Sequence, residues 1–337
     1  MSMRGMAMIT GGGGYLGSHL AKELIQRQLY KQVRIFDWQH RKYVPDEAEF
    51  VQGDIRDKAA VERAVEGADT VFHLAFTQSY SRLSKKEKWD VDIGGSTNVF
   101  EACLKANVRR LVHTSTIEIY GTKPPFPCPE DAPTDKPVGI YATHKLEVEK
   151  ILWKYHSERG LKATAVRMPT ICGPGYYNHR PLLTMMDRIL DGKAVSVVGD
   201  GSILGDFVYY KDVLDGFIKC AERDEAVGQA FNISCKAPST HLEVMEATIA
   251  AVNSKSKIVK LPRGFIKFAI YPGILFKLIN LPFDEVGYLF NPNVFSIEKA
   301  RKLLGYDPTK TAAEAAVELI KGYQADREYI KQRSQNF

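Results

Sequence analysis

The apolar positions of the N-terminal half fall into short runs separated by helical repeats. Met6 to Ile9 is an apolar run of strand length, and Tyr15 to Leu29 follows with Leu16, Leu20, Leu24 and Ile25 on one helical face. Val33 to Asp37 and Phe50 to Asp54 predict a second and a third strand, and Lys58 to Glu66 a helix. Thr70 to Ala75 reads as a fourth strand, and Arg110 to Thr114 as a fifth. Between them Asp92 to Ala106 has Val99, Cys103 and Leu104 on one side, as a helix would. The proline-rich segment Lys123 to Pro137 predicts a surface loop. Ile140 to Glu158 then reads as a helix and Ala163 to Met168 as a sixth strand. Regular alternation of strand and helix predicts an α/β fold with a doubly wound parallel sheet.

After Pro169 the pattern loosens. Gly173-Pro174-Gly175 predicts a turn, and Pro181 to Leu190 a helix with proline in its first turn. Asp206 to Tyr210 and Ala230 to Ser234 look like strands that return to the sheet; Leu242 to Val252 and Thr311 to Ile330 look helical. The expected organisation is therefore a core over residues 1–172, rejoined by strands near 205–235. Residues 173–204 and 236–337 would form most of a smaller, C-terminal substrate-binding lobe. Gly264 to Phe283 is unusually apolar, but Lys267, Pro272 and Lys277 interrupt it, which argues against a spanning helix. Helices of the lobe packing inward are the preferred reading, ahead of an interfacial membrane contact or a lid over a hydrophobic substrate.

The chain of 337 residues is long enough for a sizeable core. Its net charge of +6 includes no long basic block, which favours an anionic small molecule over nucleic acid. The five cysteines are odd in number and widely spaced, with no C-x-x-C pair, so neither a metal site nor a disulfide framework is expected. Reduced thiols and a first strand that begins almost at once suggest a cytoplasmic protein without a signal peptide.

Candidate chemistry begins at Thr10-Gly11-Gly12-Gly13-Gly14-Tyr15-Leu16-Gly17, between the first strand and the first helix. Gly11 allows a tight turn, Gly14 leaves room for a pyrophosphate, and Gly17 lets helix and strand approach. The helix N-terminus offers free N–H groups to phosphates. Asp37 ends the next strand about 20 residues later, where a carboxylate binds ribose hydroxyls and repels a 2′-phosphate. Together these predict a bound dinucleotide, NAD in preference to NADP, although Arg41 and Lys42 lie close by. Asp54 and Ile55 follow the third strand, at an end of the sheet where cofactors bind; Asp54 would also serve as a helix N-cap. His73 reads as a packed structural histidine.

Tyr141 and Lys145, four residues apart, share a helical face. Lowering a tyrosine pKa from about 10 to about 7 requires roughly 4 kcal/mol. An ammonium about 4–5 Å from the phenolate supplies on the order of 3–4 kcal/mol at an effective dielectric near 20. Thr116, just past the fifth strand, is the candidate for holding the reacting oxygen.

These residues, with His73-Leu74-Ala75, Gly95-Ser96-Thr97-Asn98, Tyr120-Gly121, Arg167-Met168-Pro169, Gly199-Asp200-Gly201, Asp206-Phe207-Val208 and Lys302 to Tyr306, span nearly the whole chain. The chain resembles the extended short-chain dehydrogenases/reductases, in the epimerase/dehydratase and 3β-hydroxysteroid dehydrogenase group. The resemblance implies a Rossmann core, NAD as cofactor, and hydride transfer with Tyr141 as acid/base, Lys145 tuning it and Thr116 holding the oxygen. It implies a cofactor site made of Gly11, Gly14, Tyr15, Leu16, Gly17, Asp37, Asp54, Ile55, Leu74, Ala75, Thr114, Tyr141, Lys145 and Pro169. It also implies a homodimer through the helices Asp92 to Ala106 and Ile140 to Glu158.

Departures from the family pattern bear on the substrate. Nucleotide-sugar members usually have Asn where Thr170 stands, Arg where Gly205 stands, and an Arg-Pro-Gly-Asp-like turn where Asn291-Pro292-Asn293 stands. Glu118 matches the base of dehydratases and decarboxylases, but their preceding aspartate is Ile117 here. The leading expectation is an NAD-dependent oxidoreductase acting on a secondary alcohol or ketone of a small organic substrate. The alternatives are a nucleotide-sugar epimerase, decarboxylase or dehydratase using tightly bound NAD, and a non-enzymatic NAD sensor.

Overall fold

The computed structural model describes residues 3–78, 81–177, 180–266, 268, 270 and 283–334. Its centre is a parallel sheet of seven strands: β1 (Arg4–Thr10), β2 (Tyr30–Asp37), β3 (Glu49–Gln52), β4 (Ala68–His73), β5 (Arg110–Thr116), β6 (Ala163–Met168) and β11 (Gln229–Asn232). Their order is β3-β2-β1-β4-β5-β6-β11. The order reverses between β1 and β4, and the crevice at that switch point is where such sheets bind ligands.

Period-two alternation sends side chains to both faces. Ala7 and Ile9 of β1 face one layer, formed by α1 (Tyr15–Gln26) and α7 (Tyr210–Glu222). Met6 and Met8 face the other, formed by α2 (Lys58–Val65), α4 (Ser96–Lys105) and α5 (Gly139–Arg159). Between α3 (Lys85–Trp89) and α4 the chain makes a π-helical turn, Asp90–Gly95. The single helix expected over Asp92 to Ala106 is thus two geometries in sequence. Asp57, rather than Asp54, caps α2 by accepting the Ala60 N–H.

The C-terminal half adds α6 (Arg180–Leu190), α8 (His241–Ala251), α9 (Glu298–Leu304) and α10 (Ala312–Ser334). Among the described residues, three two-stranded sheets accompany them: β7 (Thr170–Cys172) with β10 (Phe207–Tyr209), β8 (Val195–Val198) with β13 (Ile258–Leu261), and β9 (Leu204–Gly205) with β12 (Ser239–Thr240). One expectation needs correction here. Of the two strands expected to rejoin the main sheet, Gln229–Asn232 does so beside β6, whereas Phe207–Tyr209 pairs with β7 instead. Pro169 separates β6 from β7, so the chain leaves the main sheet and opens a second ladder for β10. Most of Gly264 to Phe283 lies outside the described residues. No helix among the described residues is long and apolar enough to cross a membrane.

Candidate active site

The glycine turn is locked by contacts that admit no side chain. Gly11 has φ +67°, and a Cβ there would lie 2.6 Å from the Ala75 nitrogen. A Cβ on Gly17 would lie 2.6 Å from both the Gly11 carbonyl oxygen and the Gly12 Cα. Gly14 precedes the first turn of α1, which has no side-chain cap. Asp37, buried at the end of β2, accepts the Gly13 N–H at 2.9 Å and the Gln39 N–H at 3.2 Å. Burial pushes its carboxyl up, and those two N–H donors act against the rise. A cradle without side chains, an uncapped helix N-terminus and a carboxylate beside it fit a dinucleotide.

The expected cofactor residues from other strands gather at the same end of the sheet. Leu74 N–H donates to the Thr10 carbonyl, and Ala75 N–H donates to Thr10 Oγ1 at 3.2 Å. Ile55 packs under Gly95, and its carbonyl accepts from Asn98 Nδ2 at 3.0 Å. Asp54 is turned to Arg56, 2.6 Å away, and this partner holds its carboxyl below the usual range. Tyr15 donates to the Pro174 carbonyl at 2.9 Å, which ties the glycine turn to the segment after β7. Pro169 is buried between β6 and β7. His73 is fully buried between Thr10 Oγ1 at 2.7 Å and Ser96 Oγ at 2.9 Å. Burial drives its pKa down to about 3, as a neutral packed imidazole requires.

Tyr141 and Lys145 lie in the first turns of α5. Lys145 is 2% exposed, and its Nζ donates to the Thr114 carbonyl at 2.7 Å and contacts Thr114 Oγ1 at 3.3 Å. The ammonium stands 5.8 Å from the centroid of the Tyr141 ring. Burial lowers its pKa to about 7, against opposing effects of Asp92 and Glu149. The distance suits an ammonium that steadies a phenolate, while burial works against its charge. Thr116 ends β5, and its Oγ1 accepts the Glu118 N–H at 3.2 Å. Its hydroxyl proton therefore remains available to a reacting oxygen.

Two features of this site carry no local sequence signal. Phe76 lies with its ring centroid 3.7 Å from Lys145 Nζ and 5.6 Å from that of Tyr141, edge to face. Asp92 joins Thr77 to His144, the residue before Lys145. Both depend on strand order, which no periodicity in the sequence encodes.

Two positions at which the chain departs from the nucleotide-sugar pattern also come together. Gly205 bridges Asn293, whose N–H donates to the Leu204 carbonyl at 3.0 Å; the Asp206 N–H donates back to the Asn293 carbonyl at 3.0 Å. His241 lies beside Gly205.

Known proteins resemble this chain in sequence and in structure. The Arabidopsis thaliana 3β-hydroxysteroid-dehydrogenase/decarboxylase isoform 1 is 28% identical over 94% of this chain and 79% of its own. The Bos taurus short-chain dehydrogenase/reductase family 42E member 1 is 31% identical over 94% of this chain and 87% of its own. Among solved structures, the Thermus thermophilus UDP-glucose 4-epimerase in complex with NAD superposes with a TM-score of 0.74 at 26% identity, covering 95% of this chain and 99% of that one. Residues 7–234 match the NAD dependent epimerase/dehydratase family. The glycine cradle, Asp37 and the switch-point crevice thus belong to an enzyme that uses NAD, and the chain is a member of the NAD-dependent epimerase/dehydratase family.

Proposed function

We propose that this protein oxidises a secondary alcohol, or reduces the matching ketone, on a hydrophobic substrate that carries no nucleotide. The observation that carries this reading is the corner where Gly205 meets Asn293 and His241. A diphosphate must be met by fixed cations or N–H donors, because burying its charge without them costs several kcal/mol. At this corner the chain presents a glycine, an amide and an imidazole whose pKa is lowered by burial. Uncharged groups of this kind suit a neutral substrate. The names of relatives agree with this class, since they include 3β-hydroxysteroid-dehydrogenase/decarboxylase and sterol-4-alpha-carboxylate 3-dehydrogenase, decarboxylating.

In the oxidative direction Tyr141, as phenolate, takes the proton from the substrate hydroxyl. Lys145 stabilises the phenolate, and the Thr116 hydroxyl donates to the substrate oxygen as negative charge builds there. NAD, when bound, supplies the acceptor for the hydride that leaves the carbinol carbon. The glycine turn, Asp37 and the Leu74-Ala75 segment would hold it.

The test is a panel of 3-hydroxysteroids, their 4-carboxylates, UDP-sugars and dTDP-sugars, incubated with protein and NAD. Net NADH formation with a steroid, lost in Tyr141→Phe, is the expected result. Micromolar binding of UDP or dTDP by calorimetry, with redox-neutral turnover of the sugar, would replace this reading by epimerase or dehydratase chemistry.

A further inference from the structure

Among the described residues, five titratable groups face Lys145. Tyr141 and Glu149 lie on its own helix, Asp92 on the π-helical turn before α4, and His73 and His113 on β4 and β5. Both histidines are wholly buried, and burial keeps them neutral. Glu149 is gripped by Arg167 through Nε at 3.0 Å and Nη2 at 2.6 Å, which offsets its charge.

Asp92 is placed differently. Its side chain is fully buried, and among the described residues no lysine or arginine bridges it. Oδ1 accepts the Thr77 N–H at 2.8 Å. Oδ2 accepts the Thr77 hydroxyl and His144 Nδ1–H, each at 2.8 Å. These donors satisfy both oxygens of a side chain that is cut off from water. They also join two pieces of the site. Thr77 follows Phe76, whose ring covers the Lys145 ammonium, and His144 precedes Lys145 on α5. A π-helical turn brings Asp92 to this point, and such turns are rare and concentrate at functional sites.

We propose that Asp92 is a positioning residue for the reaction: its buried carboxylate ties the loop after β4 to α5 and supplies the negative charge that holds Lys145 as an ammonium. The proposal rests on the reading of Tyr141 and Lys145 as the acid/base pair. Desolvation alone disfavours the ammonium, the Phe76 ring face favours it, and Asp92 adds the Coulombic part. Without that charge Lys145 would be neutral near pH 7 and could not stabilise a phenolate.

The experiment is a pH titration of the full chain labelled with 13Cε-lysine, with the Lys145 signal assigned by its loss in Lys145→Met. It needs no substrate. In Asp92→Asn, which keeps size and acceptor, the Lys145 midpoint is expected to fall by about one pH unit or more. An unchanged midpoint in folded Asp92→Asn overturns the proposal, because a merely structural aspartate would not move it. Asp92→Glu retains the charge and is expected to keep the midpoint near that of wild type. A fall as large as that expected for Asp92→Asn would show that geometry rather than charge sets it, and would also overturn the proposal. Turnover retained in Tyr141→Phe would instead remove the underlying acid/base reading, whatever the titration shows.

Discussion

Lys145 Nζ donates to the Thr114 carbonyl at 2.7 Å, so a side chain of α5 is fastened to the C-terminal end of β5. This bond holds the ammonium against Thr114, two residues before Thr116. It does so in a pocket that disfavours the charge it holds, and the conflict can be measured.

Lys145→Met removes a buried group whose folded pKa is about 7, against an ordinary value of 10.5. Between these values the unfolded chain binds more protons than the folded one, so wild-type stability rises with pH across that window. Below about 7 the charge is buried in the folded state at full cost. The stability of Lys145→Met relative to wild type is therefore expected to be greatest at neutral pH and to shrink as pH rises toward 10. Urea midpoints measured from pH 6 to 10 check this; a gap that widens with pH would contradict it.

Asp37→Asn keeps acceptors for at least one of the Gly13 and Gln39 N–H groups and removes the charge that, on the proposed cofactor reading, would repel a 2′-phosphate. The preference for NAD over NADP is expected to narrow by about tenfold or more, since like-charge contacts cost several kcal/mol. Parallel titrations of both reduced cofactors by fluorescence provide the comparison.

Gly17→Ala places a methyl 2.6 Å from the Gly11 carbonyl, so backbone must move. Overpacking of this kind costs about 1–3 kcal/mol. The displaced turn is the cradle itself, so NADH affinity is expected to fall along with the melting temperature. A variant that melts lower but binds NADH as wild type does would separate the cradle from cofactor binding.

Asp206 accepts from the Phe295 N–H, Ser234 Oγ and Cys235 Sγ in a buried corner, and burial raises its pKa to about 6. Because the folded value lies above the ordinary value of 3.8, the stability its protonation brings is complete below pH 3.8 and is lost as pH rises through about 6. Asp206→Asn does not titrate. Its stability relative to wild type is expected to increase between pH 4 and about 6.5 and then level off, as thermal melts at stepped pH would show.

The local devices were legible in the residues themselves. The glycine turn could be read because only glycine accepts φ +67° at Gly11 and the close approach at Gly17. The strands of the main sheet showed as short apolar runs, and Tyr141 with Lys145 showed as a four-residue repeat on a helix. Each of these is a short-range pattern set by backbone geometry. Partnership is not short-range. Period-two alternation marks Phe207–Tyr209 as a strand but does not say that it pairs with Thr170–Cys172. Phe76 over Lys145, Asp92 against His144 and Gly205 beside Asn293 arise only once the strand order and the crossings between strands bring distant segments together. Sequence alone determined the fold class and the places where chemistry could occur. Tertiary packing decided which neighbours Lys145 has, and with them the balance between burial and charge on which its proton depends.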